Sequence, residues 1–248
     1  MNAAYLVFDM DGVLAEVTES YRESVVQTVL HFTGKTIERD SIQEYKNRGG
    51  FNNDWLLSQQ ICADLGVQVP YAVVAKYFCD LFFGPNGNDG LVSREVWVPK
   101  DGLLESLARR YRLAIFTGRL HSEADITLQR YAADITFSPI IAEGDITNGK
   151  PAPDGLLLIR ELTGAQNMIY VGDTVDDARS ARSAGVPFIG IAAPTAPLYK
   201  ELVALLRGEG AFAVLDDVNQ IEAALDGAPP GSEPRPGTEP RPGTEPRP

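Results

Sequence analysis

Four short polar segments, each placed just beyond a run of apolar residues or at a helix entry, carry the chemistry that can be read in this chain. Asp9 and Asp11 stand at i and i+2 in Phe8-Asp-Met-Asp-Gly-Val-Leu14, and Gly12 permits a turn that would direct both carboxylates at one site. Thr117-Gly-Arg119 follows the run Leu113 to Phe116. It offers a hydroxyl and free backbone N–H groups at a helix start, a geometry suited to phosphate oxygens. Thr147-Asn-Gly-Lys-Pro-Ala-Pro-Asp154 puts Lys150 immediately before a proline-opened helix, and Gly172-Asp-Thr-Val-Asp-Asp177 adds Asp173, Asp176 and Asp177. Taken singly, each has a structural reading as a turn, a loop, a helix entry or a helix cap. Together they bring several carboxylates, one hydroxyl and one ammonium to one place. So many carboxylates repel one another unless a cation sits among them. Oxygen ligands in a chain with only two histidines point to Mg2+.

The segments must be positioned by regular elements. Tyr5 to Phe8, Leu113 to Phe116, Ile135 to Phe137 with Ile140 to Ala142, Met168 to Val171, Phe188 to Ile191 and Ala213 to Leu215 read as buried strands. Amphipathic stretches Ser122 to Tyr131, Pro153 to Leu162 and Asp176 to Ala184 lie between the later ones. The alternation predicts an α/β fold: a Rossmann-like, three-layer α/β/α core around a parallel sheet. In such a sheet, ligands bind outside the carboxyl ends of the strands, where the four segments fall. About 100 residues separate the first two strands, far more than one crossover helix needs. Thr18 to Phe32, Ser41 to Asn47, Asp54 to Leu65 and Tyr71 to Phe83 read there as helices of an inserted domain. The expected division is a core of 1–16 and 95–227, a helical insertion of 17–94, and a disordered proline-rich tail of 228–248.

The formal net charge is -12. Glu233, Glu239 and Glu245 in the tail are balanced by Arg235, Arg241 and Arg247, so the whole charge belongs to the part expected to fold. That balance argues against nucleic acid and anionic membranes as partners, because both demand Lys and Arg. Cys62 and Cys79 form neither a disulfide framework nor a metal-spaced pair, which fits a reducing, cytoplasmic setting. The N-terminus enters Tyr5-Leu-Val-Phe-Asp9 without a basic segment, unlike a signal peptide, and no run approaches the roughly 20 apolar residues of a membrane span.

With these motifs the chain resembles the haloacid dehalogenase-like hydrolases. The resemblance rests on Asp9-Met-Asp-Gly-Val-Leu14, Thr117-Gly-Arg119, Lys150-Pro-Ala-Pro-Asp154 and Gly172-Asp-Thr-Val-Asp-Asp177, and covers residues 5 to about 191. The insertion after the first motif resembles the helical cap of the subfamily that includes phosphoglycolate phosphatase and β-phosphoglucomutase. The resemblance implies a Mg2+-dependent phosphatase acting on a small phosphorylated metabolite through an aspartyl-phosphate. Asp9 would be the nucleophile, and Asp11 the general acid, then base. Thr117, the Gly118 amide and Lys150 would hold the phosphoryl oxygens. Asp9, the Asp11 main-chain carbonyl and Asp173 would hold the metal, with Asp177 or its neighbour Asp176 reaching it through water. Family members that release halide lack the second aspartate, so Asp11 favours an oxygen leaving group. A phosphomutase is the alternative within the same core, and a regulatory protein that has lost catalysis is a third; neither nucleophile nor lysine is missing here.

The remaining candidates mostly have plainer readings. Thr33-Gly-Lys-Thr36 lacks the first glycine of a phosphate-binding loop and reads as a helix end. His31 and His121 read as structural or solvated. Lys46-Asn-Arg-Gly-Gly-Phe-Asn-Asn-Asp-Trp55 reads equally as a specificity loop, with Arg48 and Asn53 touching substrate, or as a helix cap at Asn52 to Asp54. The pattern resembles family members of histidine biosynthesis, so histidinol phosphate stands beside phosphoglycolate as a substrate expectation. Monomer and homodimer both stay open.

Overall fold

The computed structural model describes residues 4–226; the tail expected at 228–248 lies outside the described residues. In chain order, β1 (Tyr5–Phe8) is followed by the short β2 (Ala15–Glu16), a π-helical turn at Thr18–Arg22, α1 (Glu23–Thr33), α2 (Arg39–Arg48), α3 (Asp54–Asp64) and α4 (Tyr71–Phe83). The chain returns through the short β3 (Val96–Trp97) and continues as α5 (Leu103–Ala108), β4 (Arg112–Phe116), α6 (His121–Tyr131), β5 (Phe137–Ile141), α7 (Asp154–Thr163) and β6 (Met168–Gly172). It ends in α8 (Val175–Ala184), β7 (Phe188–Ile191), α9 (Tyr199–Gly208), β8 (Ala213–Leu215) and α10 (Ile221–Leu225).

The main sheet is parallel, in the order β5-β4-β1-β6-β7-β8. Its strands are apolar on both faces because both are covered. Leu6 and Phe8 pack with Leu104, Leu107 and Leu128 on one face, and Val7, Ala114 and Tyr170 with Leu156, Ile159 and Ala181 on the other. This is the expected three-layer α/β/α fold. β1 sits centrally: Phe8 is in register with Ile115 of β4 and Val171 of β6. The chain leaves β1 towards β4 and β5, then crosses back to β6, so the switch point of the sheet falls beside β1, the place where α/β folds bind ligands.

The helical insertion has its own apolar cluster, built from Val25, Val29, Ile42, Leu57, Ile61, Phe78 and Phe82. β2 and β3 pair antiparallel, Ala15 opposite Trp97, where the chain leaves and re-enters the core.

Two elements differ from expectation. β5 is a single strand through Pro139 instead of two pieces. It lies at the edge of the sheet, where a residue without an N–H costs no ladder bond. The first inserted helix is broken into the π-helical turn and α1; the wider turn carries Tyr21 and Arg22, both facing the cavity described next.

Candidate active site

Asp9 follows β1 directly, and its amide donates to the Val171 carbonyl of β6 (2.8 Å). Thr117 is the corresponding residue of β4, its amide on the Ile141 carbonyl (3.0 Å), and Asp173 follows β6. By strand register Asp9 is level with Phe116 and Gly172, so Thr117 and Asp173 lie one residue beyond it at the same edge of the sheet. Asp11 lies in the turn after Asp9, where the Met10 carbonyl accepts from the Leu14 and Ala15 amides (both 2.9 Å).

Lys150, from the turn before α7, is buried between two carboxylates: its Nζ lies 2.8 Å from Asp9 Oδ1 and 2.8 Å from Asp177 Oδ1. Burial opposes a charged lysine, but Asp177 and Asp9 more than offset it and hold its pKa above the ordinary value. Asp177 is saturated with donors. Its Oδ2 accepts from the Thr174 amide (3.0 Å) and hydroxyl (2.6 Å), its Oδ1 from Tyr170 (2.6 Å). Burial would raise its pKa, yet Lys150 and these hydroxyls keep it below the ordinary carboxylate value. The exchange between Thr174 and Asp177 also caps α8, so the residue that anchors the lysine fixes the helix start beside Asp173.

Asp9, Asp173 and Asp177 each offer an oxygen, all within 4.8 Å of one another. Burial first, then Asp177 and Asp9, push Asp173 well above the ordinary range. A buried, mutually repelling, all-oxygen set is what a hard divalent cation neutralises, so these residues fit the expected metal. Asp176, the other candidate, points elsewhere: both its oxygens accept from the Gly50 amide of the insertion (2.9 and 2.8 Å).

Above these groups lies a cavity between core and insertion. Asp9, Asp11, Gly118 and Asp173 form its floor, and Tyr21, Arg22, Lys46, Asn52, Asn53, Trp55, Glu123 and Glu143 its walls. Asn52 stands directly over Gly118: a β-carbon there would collide with its side-chain amide. Thr117 is buried beside the floor, its hydroxyl accepting from the Arg119 amide (3.2 Å). Asn53 reaches the cavity but also caps α3, its side-chain oxygen accepting from the Leu56 amide (2.9 Å). Arg48 does not join the site. Its side chain is 62% exposed, near Glu44 and over the Tyr45 ring, because it ends α2 one residue before the chain turns at Gly49. The insertion instead presents Lys46, which pairs with Asp54 (2.8 Å), and Asn52. Both belong to the segment singled out from sequence; Tyr21, Arg22 and Glu123 carried no signal there, since only the π-helical turn and the fold bring them together.

Gly12 has φ +71°, and a β-carbon on it would overlap the Asp173 carboxylate. Gly12→Ala is therefore expected to destabilise the fold by about 1–2 kcal/mol from the left-handed backbone alone, and to displace Asp173. Calorimetric titration with Mg2+ should show the weakened metal site.

Asp9 is raised to about 7 by burial, against the pull of Lys150 and with repulsion from Asp177 and Asp11. Glu123 is raised to about 7 by burial, against the pull of the Leu120 amide and Arg119. In the unfolded chain these groups have lost their protons by about pH 5, whereas the folded protein keeps them to about 7. Stability thus falls as pH rises between those limits. Thermal melts in EDTA should move downward between about pH 5 and pH 8, and Mg2+, which favours the ionised carboxylates, should restore more stability at the upper end.

Carboxylates bridged by a lysine thus stand at the switch point of a parallel sheet, under a helical roof. A family model for haloacid dehalogenase-like hydrolases matches residues 4–185, and the chain belongs to that family. A protein of Phytophthora nicotianae named imidazoleglycerol-phosphate dehydratase is 32% identical over 197 residues, 76% of this chain and 43% of that protein. Phosphoglycolate phosphatase of Escherichia coli K12 is 44% identical over 57 residues, 22% of this chain and 23% of that enzyme. The chain thus spans less than half the length of either curated relative. Among solved structures, CbbY of Rhodobacter sphaeroides in complex with phosphate shares the fold with a TM-score of 0.64 at 22% identity, over 90% of this chain and 99% of that one. Among the described residues no helix is long and apolar enough to cross a membrane.

Proposed function

We propose that the protein is a Mg2+-dependent phosphatase of a small phosphomonoester, with residues 17–94 acting as a cap that excludes water. The observation that carries this reading is the Asp9–Lys150–Asp177 bridge beside Asp173, facing a cavity that also receives Asp11. Asp9 attacks phosphorus and forms an aspartyl-phosphate while the substrate oxygen departs with a proton from Asp11. Water then attacks phosphorus, giving a proton to Asp11 and releasing phosphate and the Asp9 carboxylate. Lys150 is placed to neutralise charge on the phosphoryl oxygens, and Thr117 with the Gly118 amide to hold them. Asp9, the Asp11 carbonyl and Asp173 would hold Mg2+, with Asp177 orienting their surroundings; bound there, the ion would lower repulsion between nucleophile and phosphate.

The test is a phosphate-release screen in Mg2+ over phosphoglycolate, histidinol phosphate, sugar phosphates and nucleotides. Hydrolysis of a small monoester is expected. If every monoester is inert while a sugar bisphosphate is isomerised, the core serves a phosphomutase and the reading falls.

A further inference from the structure

Arg119 has a fully buried guanidinium, and its position is not explained by the need to neutralise one partner. Its Nη2 lies 2.8 Å from Glu95 Oε1, and Glu95 is itself fully buried. Nη1 donates to Thr127 Oγ1 (2.7 Å), whose hydroxyl donates to Glu95 Oε2 (2.6 Å). That closed set would satisfy a structural arginine. The other edge of the guanidinium nevertheless reaches the cavity floor: Nε and Nη2 both donate to Asp11 Oδ1, at 2.8 and 2.5 Å. Both bonds fall on one oxygen of a side chain that is 31% exposed and lines the cavity.

We infer that Arg119, braced by Glu95 and Thr127, is a positioning residue for Asp11. It clamps Oδ1, fixes the rotamer, and leaves Oδ2 as the oxygen that exchanges a proton with the leaving group. The rigid planar fork is the reason an arginine fits here and a lysine would not: two donors at fixed spacing that converge on one oxygen fix where Oδ1 sits, where a single ammonium fixes only a distance. The brace also reports on the insertion. Glu95 immediately precedes β3, where the chain re-enters the core, and its carbonyl accepts from Tyr131 (2.7 Å). The Tyr21 ring of the insertion lies 4.9 Å from the guanidinium. Groups from the insertion, the return strand and α6 thus converge on one arginine, which holds the proton-transferring carboxyl group.

This inference rests on the phosphatase reading, and leaving-group dependence separates the two. 4-Nitrophenolate departs without a proton, whereas phenolate gains from one, and the two aryl phosphates differ little in size. Asp11→Asn, Arg119→Lys and Glu95→Gln are to be compared with the unaltered protein on both. The expected result is that Glu95→Gln and Arg119→Lys lower kcat/KM for phenyl phosphate about tenfold or more beyond their effect on 4-nitrophenyl phosphate, in the same direction as Asp11→Asn, because kcat/KM reports leaving-group departure and not the later hydrolysis in which Asp11 takes a proton whatever the leaving group. Equal loss on both substrates, or none on either, overturns the positioning role while leaving the phosphatase reading intact. An unaltered protein inert to every phosphomonoester overturns both. Should Arg119→Lys fail to fold, Glu95→Gln and Thr127→Val carry the same comparison, with thermal melts reporting their stability.

Discussion

Asp9→Asn protein, purified and supplied with Mg2+, will release phosphate from 4-nitrophenyl phosphate about 10⁴-fold more slowly than the unaltered protein, or not at all. The amide oxygen keeps the shape but neither attacks phosphorus nor carries the charge that draws in a cation. The same substitution will not weaken the fold at alkaline pH. Asp9 is held near 7 by burial and by Asp177 and Asp11, so above that pH its ionisation works against folding and a neutral isostere relieves it. Lys150 keeps a partner in Asp177 (2.8 Å). Melting in EDTA at about pH 8 should therefore be unchanged or higher while turnover is lost. Near-normal turnover in this variant would remove Asp9 as the nucleophile and, with it, the proposed mechanism.

Lys150→Met will do the opposite and cost both activity and stability. The lysine lies between Asp9 and Asp177, with the Phe116 ring 4.9 Å from its Nζ. Removing its charge leaves two buried carboxylates facing each other and Asp173. Breaking a buried pair in this way typically destabilises by roughly 3–5 kcal/mol, about 10 °C in melting temperature for a chain of this size. Because Asp177 also caps α8 through Thr174, the loss should spread to the segment around Asp173, and Mg2+ should recover part of it by supplying the missing positive charge. Scanning calorimetry with and without Mg2+ measures both effects. A variant with unchanged melting temperature would mean that Lys150 is not what holds these carboxylates together.

The chemistry of the strand ends was legible because it is local. Asp9, Thr117 and Asp173 each follow an apolar strand by one residue, so recognising β1, β4 and β6 was enough to bring them together. The spans of α3 and α4 were legible too: Asp54 to Leu65 and Tyr71 to Phe83 read as helices, and the structure has Asp54–Asp64 and Tyr71–Phe83. What the sequence withheld is long-range. Arg119 lies 108 residues from Asp11 and 24 from Glu95, and no period or spacing announces such a pairing. Within the Lys46–Trp55 segment the chemistry was visible but its direction was not: whether Arg48, or instead Lys46 and Asn52, faces the cavity depends on where α2 stops, and helix ends are set by local geometry that residue types define only loosely. The choice between Asp176 and Asp177 was of the same kind. Consecutive residues at a helix start diverge by about 100°, and one turned to Lys150, the other to the insertion.

The contact between Asp176 and the Gly50 amide has an evolutionary corollary. The insertion contributes main chain to this latch, the Gly50 amide and the Arg48 carbonyl, and α8 contributes the side chains of Asp176 and Arg179. Gly49, whose β-carbon would strike Arg179 and Asp176, and Gly50, whose φ is also +83°, are both held to glycine by the latch, and Asp176 is held as its acceptor. On the proposed reading of the insertion as a cap, Lys46 and Asn52 are then open to exchange for a different substrate without unfastening it, so the arrangement would separate the heritable means of closing from the heritable means of choosing.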